Sequence, residues 1–146
     1  MPLLLPRSVY HALRSHGEEA YPEECCGALL GRPAGEGWEV VDAVRAENAS
    51  TAPARSHYEI AAAELVGIAH EARRQGLEIA GFYHSHPDAR AQWSLTDLAE
   101  AHWIGASYVI TEVVRGKAAE TRSFRLAGTT EEDKRFEVER IELAGE

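Results

Sequence analysis

The sequence predicts an α/β fold, with a mixed, largely antiparallel sheet flanked by two or three helices. Three observations carry that expectation. Short apolar runs at Cys25–Gly31, Leu77–Tyr83 and Ser107–Val114 each have the length and character of a buried strand. Ala61–Gln75 is alanine-rich and places Leu65, Ile68, Ala69 and Ala72 in one apolar stripe at helical spacing. Turn residues at Gly35-Glu36-Gly37 and Arg115-Gly116-Lys117 join strand-like neighbours into hairpins. With 146 residues there is enough chain to bury a sizeable core, and no repeat or linker divides it, so 1–146 reads as a single domain.

Taken in order, Leu3–Leu5 is expected as a short edge strand. Pro6 suits a helix start, and Val9, Tyr10 and Leu13 recur at helical spacing. That helix should end near Gly17 or Tyr21, with Pro22 barring continuation. The buried strand Cys25–Gly31, bounded by Gly31 and Pro33, then pairs back with Trp38–Ala46. Residues 48–56, rich in Ala, Ser, Thr and Pro, form the longest loop and lead to Tyr58-Glu59-Ile60. Gly76 is placed to cap the helix Ala61–Gln75. The strand Leu77–Tyr83 feeds two histidines, a loop spans 87–93, and a second helix is expected over Leu95–Ile104. Ser107–Val114 and Glu120–Leu126 pair antiparallel. After a polar link, Phe136, Val138, Ile141 and Leu143 alternate with one slip and are expected as a further single strand.

Composition excludes several classes of function. A formal net charge of −9, with arginines scattered and no basic stripe, argues against a nucleic-acid partner. The adjacent Cys25 and Cys26 would point to opposite faces of a strand, so no disulfide is expected, which suits a reducing interior. Leu3-Leu4-Leu5 is too short for a signal peptide and no apolar run approaches membrane-spanning length, so a cytoplasmic protein is expected. An oligomer is compatible with all of this.

The chemistry-bearing stretch is Gly81-Phe82-Tyr83-His84-Ser85-His86-Pro87, followed by Trp93-Ser94-Leu95-Thr96-Asp97. Histidines at i and i+2 project from one face of a strand. Adding Asp97, eleven positions after His86, makes two imidazoles and a carboxylate with no fourth protein ligand. That set describes a catalytic zinc site, which keeps a position open, rather than a closed structural one. Ser94 and Asp97 also read as a capping box, Ser-x-x-Asp before an apolar helix. The two roles coexist, because a helix N-terminus and a hydroxyl both favour developing negative charge. Glu24, just before the buried strand, is the carboxylate favoured as general base, although Glu23 and Glu24 read equally as solvated loop charges and spacing does not choose. His11, His16, His57, His70 and His102 are expected to be bystanders, and the buried cysteines to be inert.

Together these residues resemble the JAMM (MPN-plus) metalloprotease family, whose pattern is an upstream glutamate, His-x-His, ten residues and an aspartate, with a serine three before it. Here the pattern reads Glu24, His84-Ser85-His86, Ser94 and Asp97. The flanks Tyr21–Gly31, Asn48, Tyr58-Glu59-Ile60 and Gly81–Pro87 resemble the compact prokaryotic branch, and the likeness covers residues 1 to about 127. It implies a cytidine-deaminase-like α/β/α sandwich. It also implies that His84, His86 and Asp97 bind one Zn²⁺, that Glu24 is the general base and then acid, and that Ser94 stabilises the oxyanion. The cysteine-containing second zinc element of larger relatives is missing after Asp97, as is the zinc-deaminase signature, and Trp93 stands where relatives often have proline.

The implied reaction is hydrolysis of an amide or isopeptide bond. The implied partners are ubiquitin-like sulfur-carrier proteins (ThiS- or MoaD-like) or their conjugates, cut after a C-terminal Gly-Gly. The alternatives are a non-catalytic MPN-type scaffold that only binds a partner, and a zinc peptidase acting on small peptides. The scaffold reading is disfavoured because such proteins usually lose ligands and none is missing here.

Overall fold

The computed structural model describes residues 2–50 and 57–145. Strand β1 (Leu3–Pro6) runs directly into α1 (Arg7–Ala20), and the fixed extended backbone of Pro6 supplies the helix N-cap. A hairpin of β2 (Cys26–Ala34) and β3 (Gly37–Ala46) follows, then α2 (Ala62–Arg74) and β4 (Glu78–Pro87). The short α3 (Leu95–Glu100) precedes a second hairpin, β5 (Ser107–Val114) and β6 (Lys117–Ala127), and the chain ends in β7 (Arg135–Glu139) and β8 (Ile141–Ala144). Among the described residues no helix is long and apolar enough to cross a membrane.

The eight strands lie in one sheet, ordered β7-β6-β5-β4-β2-β3-β1-β8. Pairings β4–β5, β1–β3 and β1–β8 are parallel and the others antiparallel, so the sheet is mixed with antiparallel pairs in the majority. Alternation along β2 and β4 divides the core between two faces. On one face Cys25, Leu29 and Tyr83 pack under Val9 and Leu13 of α1. On the other, Cys26, Ala28, Leu30 and Phe82 pack under Ile68 and Ala72 of α2. Helices therefore cover both faces, the arrangement that the resemblance implies. Full burial of each such aliphatic side chain contributes roughly 1.5–3 kcal/mol.

Three elements differ from expectation. Leu3–Leu5 is not an edge strand, because β8 pairs alongside it in parallel. Four residues carry no information about which strand lies beyond them. The helix at Leu95 stops at Glu100 instead of Ile104. Ala101 is extended and buried, and Gly105, at φ +94°, turns the chain into β5. Phe136–Leu143 is two strands rather than one. The slip in its alternation falls at Arg140, where β7 leaves β6 and β8 joins β1 at the opposite margin. A single residue spans those margins, so the sheet curls until they meet. Leu3 N donates to Arg140 O at 2.8 Å, and Trp38 Nε1 to Gly105 O at 2.9 Å, tying the curl.

The first hairpin also outruns its expected end, since β2 continues through Pro33 to Ala34. Beyond Gly31 it has only β3 as neighbour, so the missing N–H of Pro33 leaves no ladder bond unmade on its other side. Of the predicted loop 48–56, positions 51–56 lie outside the described residues.

Candidate active site

β4 occupies the middle of the sheet between β2 and β5, and its last residues carry the two histidines. Gly81 permits that position: a Cβ there would lie 1.9 Å from Ser107 O of β5. Downstream, side chains alternate: Phe82, His84 and His86 face the α2 side, Tyr83 and Ser85 the α1 side. Ser85 is buried and clamps β2 at the neighbouring register, with Cys25 N donating to Ser85 Oγ at 2.9 Å and Ser85 N to Cys25 O at 3.3 Å. That clamp fixes the residue before Cys25, which is Glu24.

α3 delivers the third ligand candidate. Asp97 N donates to Ser94 Oγ at 3.0 Å and Ser94 N donates to Asp97 Oδ2 at 2.8 Å, so the expected capping box is formed. The box orients the carboxylate toward β4. Asp97 Oδ1 lies 3.3 Å from His84 Nε2, Oδ2 lies 3.3 Å from His86 Nε2, and the two Nε2 atoms are 3.2 Å apart. His84, His86 and Asp97 therefore form a group that could hold a metal ion, with one ligand atom from each within 4.8 Å of the others.

The tautomer of one histidine follows from its partner. His86 Nδ1 lies 2.8 Å from Arg90 O, which only accepts, so Nδ1 donates and a neutral ring turns its Nε2 lone pair inward. Tyr58 stacks on His84 at 4.4 Å between centroids and shields it, while His84 Nδ1 has no partner among the described residues. Two imidazole lone pairs facing each other beside a carboxylate repel unless a cation or proton lies between them. The spacing also suits a metal: bonds of about 2.0–2.1 Å in a tetrahedral arrangement set ligand atoms about 3.3 Å apart. The donor set, two nitrogens and one carboxylate oxygen, fits zinc.

Electrostatics separate the carboxyl groups. Burial disfavours charge on Asp97, yet hydrogen bonds and charge from His84 and His86 overcome it and hold the carboxyl well below the usual range. Burial lowers His84; for His86, burial is outweighed by Asp97, the Arg90 carbonyl and Glu24, so its pKa rises. Glu24 is pushed up to about 8 by burial, eased by the His86 charge and reinforced by Asp97. Its Oε1 is buried with no hydrogen-bond partner. A cleft of about 320 Å³ is lined by Glu24, His86, Ser94 and Asp97 together.

Sequence reasoning assembled this group but missed its supports. His57, read as a bystander, places Nε2 2.6 and 2.7 Å from the Glu100 oxygens, joining the Tyr58 segment to α3. The positioning roles of Arg90 and Ser85 depend on a backbone carbonyl and on a cross-strand contact, for which residue type gives no signal. His102 pairs with Glu131 at 3.2 Å on the surface and adds no atom to the cluster. Trp93 packs on Phe136, with ring centroids 5.5 Å apart, beside Ala91, Ile110 and Phe124. Burial pushes the thiols of Cys25 and Cys26 up to about 11 and about 12.

With this geometry in place, comparison with known proteins is decisive for family. Residues 6–127 match the family described as prokaryotic homologs of the JAB domain. The chain belongs to the prokaryotic JAB family. A relative, the desampylase of Haloferax volcanii, is 33% identical over 112 residues, covering 74% of this chain and 78% of that protein. The solution structure of a Desulfitobacterium hafniense protein superposes with a TM-score of 0.83 at 26% identity, covering 99% of this chain and 94% of the other. A Salinibacter ruber protein superposes with a TM-score of 0.71 at 35% identity, over 94% and 88% of the two chains.

Proposed function

We propose that the chain is a zinc-dependent isopeptidase or peptidase that cleaves the amide bond after the C-terminal Gly-Gly of ubiquitin-like sulfur-carrier proteins in the cytoplasm. One observation supports the reading most: the cleft lined by His86 and Asp97 of the inward-facing His84–His86–Asp97 group is also lined by Glu24, a buried carboxyl with raised proton affinity. Membership of the JAB family and the relative named a desampylase support a JAMM-type hydrolase acting on ubiquitin-like protein conjugates.

In this reading His84, His86 and Asp97 hold Zn²⁺. Bound there, the ion supplies Lewis acidity that polarises a scissile carbonyl and acidifies water. Glu24 takes a proton from the attacking water and passes it to the leaving amine, a role suited to a carboxyl whose proton affinity burial raises. Ser94 Oγ accepts from Asp97 N and keeps its O–H to donate to the oxyanion. The Arg90 carbonyl and the Tyr58 ring fix the two imidazoles, so little reorganisation accompanies reaction.

The test is metal analysis of the purified protein together with a cleavage screen over small proteins that end in Gly-Gly, each fused to a short extension. About one zinc per chain and cuts confined to the bond after Gly-Gly are the expected result. Tight binding of the fusions by the zinc-loaded protein without any cutting would instead establish a scaffold.

A further inference from the structure

Helix α3 carries Asp97 and Ser94, yet its own sequence does little to hold it in place. It has six residues, too few for a helix to persist alone, and none of them is fully buried. Leu95 at its first position is exposed, and Leu98 is only partly buried against the core under α2. The capping box closes within the helix and joins it to nothing else. Its position is therefore set by contacts from outside, and two of these come from the stretch that follows β6.

Lys134, the last residue of the link between β6 and β7, brings its ammonium to the C-terminal end of α3. Nζ donates to Ala99 O at 3.1 Å and to Ala101 O at 2.8 Å, and the third proton goes to Glu131 Oε1 at 2.8 Å. Lysines usually keep the ammonium in water, but this side chain is only 7% exposed. Carbonyls at a helix C-terminus lack partners inside the helix and form the negative end of its dipole, so a cation there both satisfies and anchors them. At the other end, Trp93, the residue before the Ser94 cap, packs on Phe136 of β7 with ring centroids 5.5 Å apart. Lys134 and Phe136, two residues apart in the chain, thus hold α3 from both ends.

The link is built to keep Lys134 still. Asp133 accepts from the backbone N–H and the hydroxyl of both Thr129 and Thr130, at 2.7–3.1 Å. Gly128, at φ +116°, lets the turn close, since a Cβ there would lie 2.8 Å from Lys134 Cα. The family match ends at residue 127, so both anchoring residues lie beyond it.

Resting on His84, His86 and Asp97 as the metal group, we propose that Lys134 is a positioning residue for the metal centre. It fixes the C-terminal end of α3 so that the Asp97 carboxylate stays within reach of His84 and His86, while Phe136 secures the opposite end. A stretch outside the family match then sets how tightly this chain holds its metal.

The experiment measures zinc affinity in the full chain by competition with a chromophoric chelator. Lys134→Met, which keeps a long side chain and removes the charge and the donors, should weaken zinc binding by about tenfold, as loss of a supporting contact commonly does at a metal site. Lys134→Arg should recover part of the loss. In the metal-free protein, Leu98 N and Ala101 N, which donate to Ser94 O at 3.1 Å and Leu98 O at 3.2 Å, should exchange with solvent faster in Lys134→Met. With Co²⁺ in place of zinc, the visible d–d bands should shift in Lys134→Met and return toward the wild-type position in Lys134→Arg. Val9→Ala, a core change in α1, should lower stability and leave affinity and bands unchanged, which separates positioning from a general loss of stability. Should Lys134→Met not fold, Lys134→Gln carries the same comparison. Wild-type affinity and bands in Lys134→Met, or an equal fall in Val9→Ala, overturns the role of Lys134 while the metal reading stands. A wild type that binds no zinc overturns the metal reading and this inference with it.

Discussion

His84 and His86 turn their Nε2 atoms toward each other at 3.2 Å. With His86 Nδ1 spent on the Arg90 carbonyl, the lone pair of a neutral His86 Nε2 faces His84 Nε2, and the two conflict whenever neutral His84 carries its hydrogen on Nδ1. A divalent cation resolves the conflict and satisfies the Asp97 carboxylate at once.

Metal should therefore stabilise the fold. At a free concentration a hundredfold above its dissociation constant, the gain is about 2.7 kcal/mol, or roughly 5–10 °C in Tm. Chelation should remove that increment in the wild type. His86→Ala and Asp97→Ala should show neither bound zinc nor a chelator effect, and full metal content in either would remove that residue from the ligand set.

Glu24→Gln should keep about one zinc per chain and lose turnover. In the metal-free protein the same change should raise stability at pH 8 and leave it unchanged at pH 4. The sign follows from a folded pKa of about 8 against an ordinary value of 4.5. As pH rises through that window the unfolded chain releases the proton first, so the wild type loses stability that the neutral amide retains. Thermal melts across pH decide it: equal pH dependence in both proteins would show that the carboxyl is not held protonated by burial.

Ser94 combines a cap with a candidate oxyanion donor. Ser94→Ala should cost about 1 kcal/mol of stability through the lost cap and about 10²–10³ in kcat through the lost donor. Ser94→Thr, which keeps both functions, should restore most of each. A normal kcat in a folded Ser94→Ala protein would leave this side chain with the cap alone.

The cysteines should be chemically silent. With thiol pKa values pushed up to about 11 and about 12, Cys25 and Cys26 remain protonated at pH 8 and are buried. Alkylation should be slow in the native protein and complete in denaturant. Fast native labelling with loss of activity would reopen a thiol role.

Much of the site was legible because its parts are local. His84 and His86 share a strand face two residues apart, and Ser94 with Asp97 spells a cap whatever else it does. Residues joined only by tertiary contact were not legible. Ser85 meets Cys25 sixty residues away, and His57 meets Glu100 forty-three away, through pairings that no periodicity encodes. The same limit explains the terminal strands: the slip at Arg140 was visible, but not that its two sides belong to opposite margins. Helix α3 was overrun because Trp103 and Ile104 look helical, while the left-handed Gly105 behind them decides the turn.

Leu3 pairs with Ile141, so β1 finds its outer neighbour only when β8, far along the chain, has been made. Until then β1 has an exposed hydrogen-bonding side that any extended chain could join. The pairing of β1 with β8 joins residues separated by most of the chain, a contact of the long-range kind that slows folding. A nascent chain halted before residue 135 lacks both terminal strands and leaves that side bare, making it the point at which a chaperone would be needed.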